Sequence, residues 1–356
     1  MPPAPAKTRR GRSPVVHQAR PRAGTTIRDV AGRAGVSKSS VSRYLQDPAT
    51  VSAHARKAIA AAIEELDYRP SAAARSLTRR QSRAIGILVH DLRQPWFVDF
   101  LDGLAQVLGA AGYSMLMCDT RLDQSMGESL IKSFAERQVD GIVLAGTTPV
   151  SERLVTAIRS VPTVIAGNHE FDDASLDVVV PDDAAAARLA LMHLHGLGHR
   201  RIAHVRGLDN GTFRIRAQAY EAFMTEQDLA DAAVAVDSDS SIEGGRAAAA
   251  DLLTRPGPRP TAVFAANDLA AIGVVSAAVD LGVACPGELS VVGVDDSYLA
   301  ALPPISLTSV GLSTAAQGGL AARMIIDRIA APDAPQRLEV LPPSGLSVRG
   351  SSAPPA

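Results

Sequence analysis

The sequence predicts two dissimilar bodies: an N-terminal all-α helix-turn-helix head with a hinge helix, and an α/β core of two parallel-sheet lobes. Three observations carry this. Residues 1–83 hold 17 Lys/Arg against 5 Asp/Glu, a net of +12, while residues 84–356 hold 19 against 32, a net of −13, so the overall charge of −1 conceals a divided chain. Between Thr25 and Leu66 the text is helical, punctuated at Gly35-Val36-Ser37 and Asp47-Pro48. Beyond Arg83, β-branched runs alternate with Ala/Leu-rich stretches over a length that suits two sheets, and the full 356 residues exceed what one core sustains.

In chain order, residues 1–23 combine prolines with Lys7, Arg9, Arg10, Arg12, Arg20 and Arg22 and read as a disordered basic arm. The head, 24–69, has two helices crossing steeply. That crossing needs a small residue at the contact, one tolerant of positive φ in the turn, and a β-branched plug on the second helix; Ala31, Gly35 and Val41 supply them. Thr26 and Ser37 are placed to cap these helices. Val41 and Leu45 share one helical face, which leaves Lys38, Ser39, Ser40 and Arg43 elsewhere. Pro70 stops the third helix, since it lacks an N–H and disfavours helical backbone at Arg69. In the hinge and linker, 70–83, a stretch of about two helical turns runs to Leu77; alone it is marginal and should order only against a partner.

The core, 84–350, predicts strands at Ile85–Val89, Ser114–Cys118, Gly141–Leu144, Thr163–Ala166, Ile202–Val205, Ala262–Phe264 and Leu289–Val294. A lobe boundary is expected near 180 and a recrossing of the chain near 308. The Pro/Ser/Gly-rich segment from Pro342 should fray into a tail, 351–356.

Composition narrows the function. With 46% hydrophobic and 21% charged residues, a largely disordered chain is excluded. No apolar run approaches a membrane span, and the Pro/Arg-rich start lacks the apolar core of an export signal, so a cytoplasmic, nucleoid-associated protein without a membrane partner is expected. Cys118 and Cys285 stand far apart without ligand-like neighbours, predicting neither disulfide nor zinc. His193, His195, His199 and His204 cluster in sequence but not at metal-ligand spacing, so no metal or cofactor is expected. Neither Gly-x-Gly-x-x-Gly nor Gly-x-Ser-x-Gly occurs, which argues against an enzyme.

A cationic module on an anionic body is built for a polyanion. The basic end lacks the apolar anchors of a membrane-surface helix, so nucleic acid is the expected partner. Arg can grip guanine O6 and N7 with two hydrogen bonds, and Ser can contact base edges or phosphate, so the face with Lys38, Ser39, Ser40 and Arg43 is assigned to the major groove. Small residues such as Ala73 would let two hinge copies approach, and Leu77 is a suitable minor-groove wedge.

The Thr-Ile-Arg-Asp-Val-Ala opening at Thr26, the Tyr-x-Pro-Ser-x-x-Ala-Arg-Ser-Leu hinge and the Pro-x-x-Leu-x-Val-Arg-Gly-Ser close near Leu346 resemble the lactose-repressor (LacI) family of transcription regulators over about residues 25–350. The resemblance implies a periplasmic-binding-protein-like core and a dimer on double-stranded, palindromic operator DNA. It also implies hinge helices paired in the minor groove, with Leu77 wedging the central step. The DNA-binding set becomes Thr26, Ser37, Lys38, Ser39, Ser40, Ser42 and Arg43 in the head, with Ala73, Arg75 and Leu77 in the hinge. With no heptad repeat after the core, a homodimer without a tetramerisation coil is expected.

Ligands of parallel sheets sit at the carboxyl ends of strands, so residues after each run are candidates. Asp91, Asp119, Asn168, Asn267 and Asp295 hold such places, and Trp96 and Phe97 could cover the apolar face of a sugar. Singly, each could equally be a helix cap, turn or core residue. The family resemblance singles out Arg216, Asn267 and Asp295 as a trio that holds ligand hydroxyls in sugar-responsive members, although Ala219 replaces the usual Gly beside Arg216. The expected effector set is Asp91, Trp96, Phe97, Asn168, Arg216, Asn267 and Asp295, for a repressor controlled by a small carbohydrate. The alternatives are a nucleobase, nucleoside or phosphorylated effector, and a transport-type sugar-binding protein, which the basic head disfavours.

Overall fold

The computed structural model describes residues 25–68, 81–121, 123–147, 151–171, 173 and 175–356. The basic arm and the hinge, with Ala73, Arg75 and Leu77, lie outside the described residues. Two compact units divide at residues 80 and 81.

In the first unit, α1 (Ile27–Ala34) begins at a capping box: the Thr26 hydroxyl accepts from the Asp29 N–H, and the Asp29 carboxylate accepts from the Thr26 N–H at 2.8 Å. Gly35 ends the helix at φ +65°, where a side chain would be strained. Ser37 then caps α2 (Lys38–Gln46) at 3.1 Å from the Ser40 N–H, and Ser52 caps α3 (Ala53–Glu65). Helices this short do not persist alone. They share a core of Val30, Ala31, Val41, Ile59, Ala62 and Tyr68, with Leu45 and Tyr44 packed at its edge.

The second unit alternates strands and helices as β1 (Ala84–Val89), α4 (Trp96–Ala110), β2 (Ser114–Asp119), α5 (Gln124–Glu136), β3 (Gly141–Ala145), α6 (Glu152–Ile158), β4 (Thr163–Ala166) and β5 (Asp177–Pro181). The second lobe follows with α7 (Asp183–Gly196), β6 (Ile202–Val205), α8 (Gly211–Glu226), β7 (Val234–Val236), α9 (Ile242–Thr254), β8 (Ala262–Ala265), α10 (Asp268–Asp280), β9 (Ser290–Asp295) and β10 (Thr308–Gly311). The chain then returns through α11 (Thr314–Ala330) and β11 (Leu338–Leu341) before β12 (Gly345–Ser347). One sheet runs β11-β5-β4-β3-β1-β2, all parallel; the other runs β12-β10-β9-β8-β6-β7, antiparallel only at β10–β12. Apolar clusters cover both faces of each sheet, which is why the strands read as unbroken Val/Ile/Leu runs.

Three chain crossings join the lobes. The first follows Pro181. The second follows Gly311, the last residue of the strand Thr308–Gly311 of the second sheet. α11 packs on α4 with their backbones nearly touching: a Cβ on Gly103 would stand 2.0 Å from the Ala315 carbonyl oxygen. A buried pair, Arg328 Nη2 to Asp177 Oδ1 at 2.6 Å, ties α11 to β5. The third crossing corrects the expectation of a frayed end. β12 pairs with β10, the Ser351 hydroxyl donates to the Val291 carbonyl at 2.6 Å, and the Arg349 guanidinium meets Asp296 at 2.6 Å. Pro/Ser/Gly composition marks loops, but here the serine hydroxyls satisfy the backbone of buried strands, which composition does not reveal. No helix among the described residues is long and apolar enough to cross a membrane.

Candidate functional site

The head presents Lys38, Ser39 and Arg43 exposed on α2, with Ser40 and Ser42 half-buried at the edges of that face. Neither Lys38 nor Arg43 has an ion-pair partner among the described residues, so both charges are open to phosphate or base edges. The Ser37 hydroxyl lies 2.8 Å from that of Ser39 and 2.9 Å from that of Ser40, so the cap and the neighbouring serines form one network. Thr26 is exposed but commits both its hydroxyl and its N–H to Asp29. Those bonds hold the Asp29 carboxyl below the usual carboxylate range.

In the core unit, a cleft with a cavity volume of about 70 Å³ opens between the carboxyl ends of the two sheets. β1 delivers His90 and, through its loop, Gln94, Trp96 and Phe97; β3 and β4 deliver Thr147 and Gly167. From the other lobe come Leu208, Thr212, Phe213 and Arg216 after β6, Ser240 after β7, Asn267 after β8 and Asp295 ending β9. Trp96 stacks on Phe100 with centroids 4.8 Å apart and meets Phe97 edge-on at 5.1 Å, packing against the cores of both lobes. Gly167, at φ +71°, makes room for it: a Cβ there would touch the indole at 3.2 Å.

Arg216 is 2% exposed. Its Nε and Nη2 both reach Asp183 Oδ1, at 2.8 and 2.7 Å, and its Nη1 donates to the Ala266 carbonyl. A buried guanidinium is tolerated because its charge and donors are met. Asn267 caps α10 through its Oδ1 at 2.9 Å from the Ala270 N–H, while its Nδ2 donates to the Ser240 carbonyl and to Gln94 Oε1. The cap reading of this residue is realised, and its side chain also lines the cleft. Asp295 adopts φ +121°, a backbone state costing about 1–3 kcal/mol for a side-chain-bearing residue. Burial pushes its carboxyl well above the usual range; Arg216 opposes this, while Asp268 and Asp183 reinforce it.

The cleft leaves out two residues expected in it. Asp91 turns back onto its own loop, accepting from the Arg93 N–H at 3.0 Å and pairing with the Arg93 guanidinium at 2.7 Å, which holds its carboxyl below the usual range. Asn168 accepts from the Glu170 N–H at 2.9 Å in a tight turn. A strand's end points to a polar neighbourhood, but which residue faces inward depends on where the pleat stops. At β1 that residue is His90, one place earlier. His90 and Thr212 were not expected, and both carry a buried polar atom, Nδ1 and Oγ1, that has no hydrogen-bond partner among the described residues. Burial lowers the His90 imidazole to about 4, so it is neutral at physiological pH. No sequence signal marks Thr212, which sits in the first turn of α8 just after its Asn210 cap. Among the described residues no group of His, Cys, Asp or Glu is arranged to hold a metal. His193, His199 and His204 instead bond separately to Ser352, Thr261 and the Phe264 carbonyl.

A helix-turn-helix head joined to a two-lobed body with a polar cleft defines a DNA-binding regulator with a small-molecule sensing core. Comparison with known proteins gives its family. Residues 26–71 match the model of bacterial regulatory proteins of the lacI family, and residues 191–352 that of the periplasmic binding protein-like domain. The chain is 34% identical over 331 residues to the ribose operon repressor of Escherichia coli K12, covering 92% of this chain and 99% of that one. It is 30% identical to the PurR repressor of Haemophilus influenzae strain PittEE, over 85% and 91% of the two chains. Among solved structures, the Lac repressor dimer bound to operator and the anti-inducer ONPF shares the fold at TM-score 0.82 and 24% identity, over 93% and 99% of the chains. A transcriptional regulator CelR–cellobiose complex matches at TM-score 0.68 and 27% identity, over 92% and 99%. The chain belongs to the LacI family of DNA-binding transcriptional regulators.

Proposed function

We propose that the protein is a non-catalytic, cytoplasmic repressor that binds a palindromic operator as a homodimer, with Lys38, Ser39, Ser40 and Arg43 at the major groove. Its affinity for DNA is controlled by an uncharged, monosaccharide-sized effector held between the core lobes. One observation carries the effector reading: Trp96, Phe97, Arg216, Asn267 and Asp295 converge on a cleft where His90 Nδ1 and Thr212 Oγ1 have no hydrogen-bond partner among the described residues. Buried polar groups without partners are unfavourable unless a ligand completes them, and hydroxyls can do so from both lobes. A phosphate fits poorly, since Arg216 is engaged by Asp183 and Ala266 and His90 is neutral. The similarity to a ribose operon repressor makes D-ribose the first candidate. The aromatic walls and the similarity to PurR support a purine base as the second reading.

A thermal-shift panel of D-ribose, D-glucose, hypoxanthine and ribose 5-phosphate on the purified full chain decides among these. A true effector at a hundredfold excess over its Kd stabilises the chain by about 2.7 kcal/mol through mass action. D-Ribose or another neutral sugar is expected to raise the melting temperature. A shift with hypoxanthine alone moves the assignment to the second reading, and a shift with the phosphate ester alone overturns the uncharged class.

A further inference from the structure

Three side chains of the first lobe reach across the cleft. Gln94 accepts from Asn267 at 3.4 Å, His169 Nε2 lies 2.8 Å from Asp183 Oδ2, and Glu170 Oε1 lies 2.7 Å from Arg214 Nη2. His169 and Glu170 belong to the loop after β4, and Arg214 to the first turn of α8. That loop is seated on the start of α8: a Cβ on Gly211 would stand 3.0 Å from the Glu170 side chain and 3.1 Å from that of His169. Asp183, at the start of α7, has a fully buried side chain. One of its oxygens takes both donors of Arg216, from its own lobe; the other takes the imidazole N–H of His169, from the opposite lobe. A carboxylate oxygen accepts, so His169 Nε2 is the donor in this contact.

We propose that His169, acting through Asp183, is a positioning residue for Arg216, and that with the Glu170–Arg214 pair it forms a clasp that favours lobe closure independently of any effector. Opening the cleft would withdraw His169 and leave a buried carboxylate oxygen without its donor, which is unfavourable, and the partly exposed Glu170–Arg214 pair adds a smaller contribution. The plane of the Arg216 guanidinium, set by Asp183, thereby becomes sensitive to closure. The clasp needs no particular ligand; only the role of Arg216 as an effector contact rests on the function proposed above.

Trp96 supplies a native reporter, because it is the only tryptophan and lies in the cleft against both lobes. In the full-length protein without added small molecule, His169→Ala is expected to raise acrylamide quenching of Trp96 about twofold, as the closed population falls, with a red shift of emission. His169→Gln, whose amide N–H can still donate to Asp183, should restore most of the wild-type value. Unchanged quenching in His169→Ala, or a change that His169→Gln does not reverse, overturns the proposal. Should His169→Ala lose its native circular dichroism, Arg214→Ala at an exposed position carries the test with a smaller rise, and no rise there overturns the clasp. Because no sugar is added, a failed ligand panel removes the effector assignment without touching this result.

Discussion

Two buried arginine–aspartate pairs in the core unit use the same chemistry for different ends. Arg328 grips Asp177 with both forks, Nη2 to Oδ1 at 2.6 Å and Nε to Oδ2 at 3.1 Å, and its remaining donors meet the carbonyls of Pro332, Ala334 and Pro335. Asp177 also accepts from the Arg337 N–H at 2.8 Å. Arg216 instead shares one oxygen of Asp183, whose other oxygen is held from the opposite lobe. Its neighbours His90 and Thr212 carry unpartnered polar atoms, and no donor among the described residues reaches the Asp295 carboxyl. A pair whose lone pairs and protons are all met inside one lobe is architecture. A pair surrounded by unmet groups is where the effector proposed above would bind.

Breaking the structural pair should have the largest effect. Asp177→Ala leaves the Arg328 charge buried and unpaired and should lower unfolding stability by about 3–5 kcal/mol in chemical denaturation. The double change Arg328→Met with Asp177→Leu should recover most of that loss, since removing both charges also removes the desolvation penalty. A double variant as unstable as the single one would show that Arg328 holds the loop carbonyls rather than the aspartate.

Asp268 tests the polar surroundings of the cleft at intermediate size. Its oxygens accept from the Ser309 hydroxyl and the Ser297 N–H, and burial lifts its carboxyl to about 6. A raised folded-state value means that this contribution is full below the unfolded value near 4 and is lost as pH rises through 6. Relative to Asp268→Asn, the wild type should therefore lose up to about 3 kcal/mol of stability between pH 4 and 7, two pH units of linkage. Denaturation curves of both proteins that stay parallel across that range would refute it.

The smallest stability effect sharpens the contrast most. Thr212→Val keeps the shape but removes an unpartnered hydroxyl, so the melting temperature should not fall, while affinity for the effector found in the ligand panel should weaken about tenfold, or 1.4 kcal/mol. A loss of stability with unchanged affinity would make Thr212 a structural residue.

Much of this was legible before folding. The three head helices were readable because capping and turn residues act over three or four positions, as at Thr26, Gly35 and Ser37. The seven expected strands stand where the apolar runs placed them, since strands buried on both faces need such runs. Asn267, Asp295, Trp96 and Phe97 could be placed at the cleft by the strand-end rule, and Arg216 only by family resemblance. Five strands escaped notice: β7, β11 and β12 are edge strands of three or four residues, too short and too exposed to show a period, while β5 and β10 lie where the chain was read as a lobe boundary and a recrossing.

What the linear chain determined by itself was local or additive: charge division, helix caps, apolar runs and membership of a family. Only the tertiary structure decided that His90 rather than Asp91 faces the cleft, that the last residues lock onto the second sheet, and that His169 and Arg214 meet partners on other elements. These depend on pleat phase and on contacts between segments far apart in sequence, for which short-range propensities carry no term.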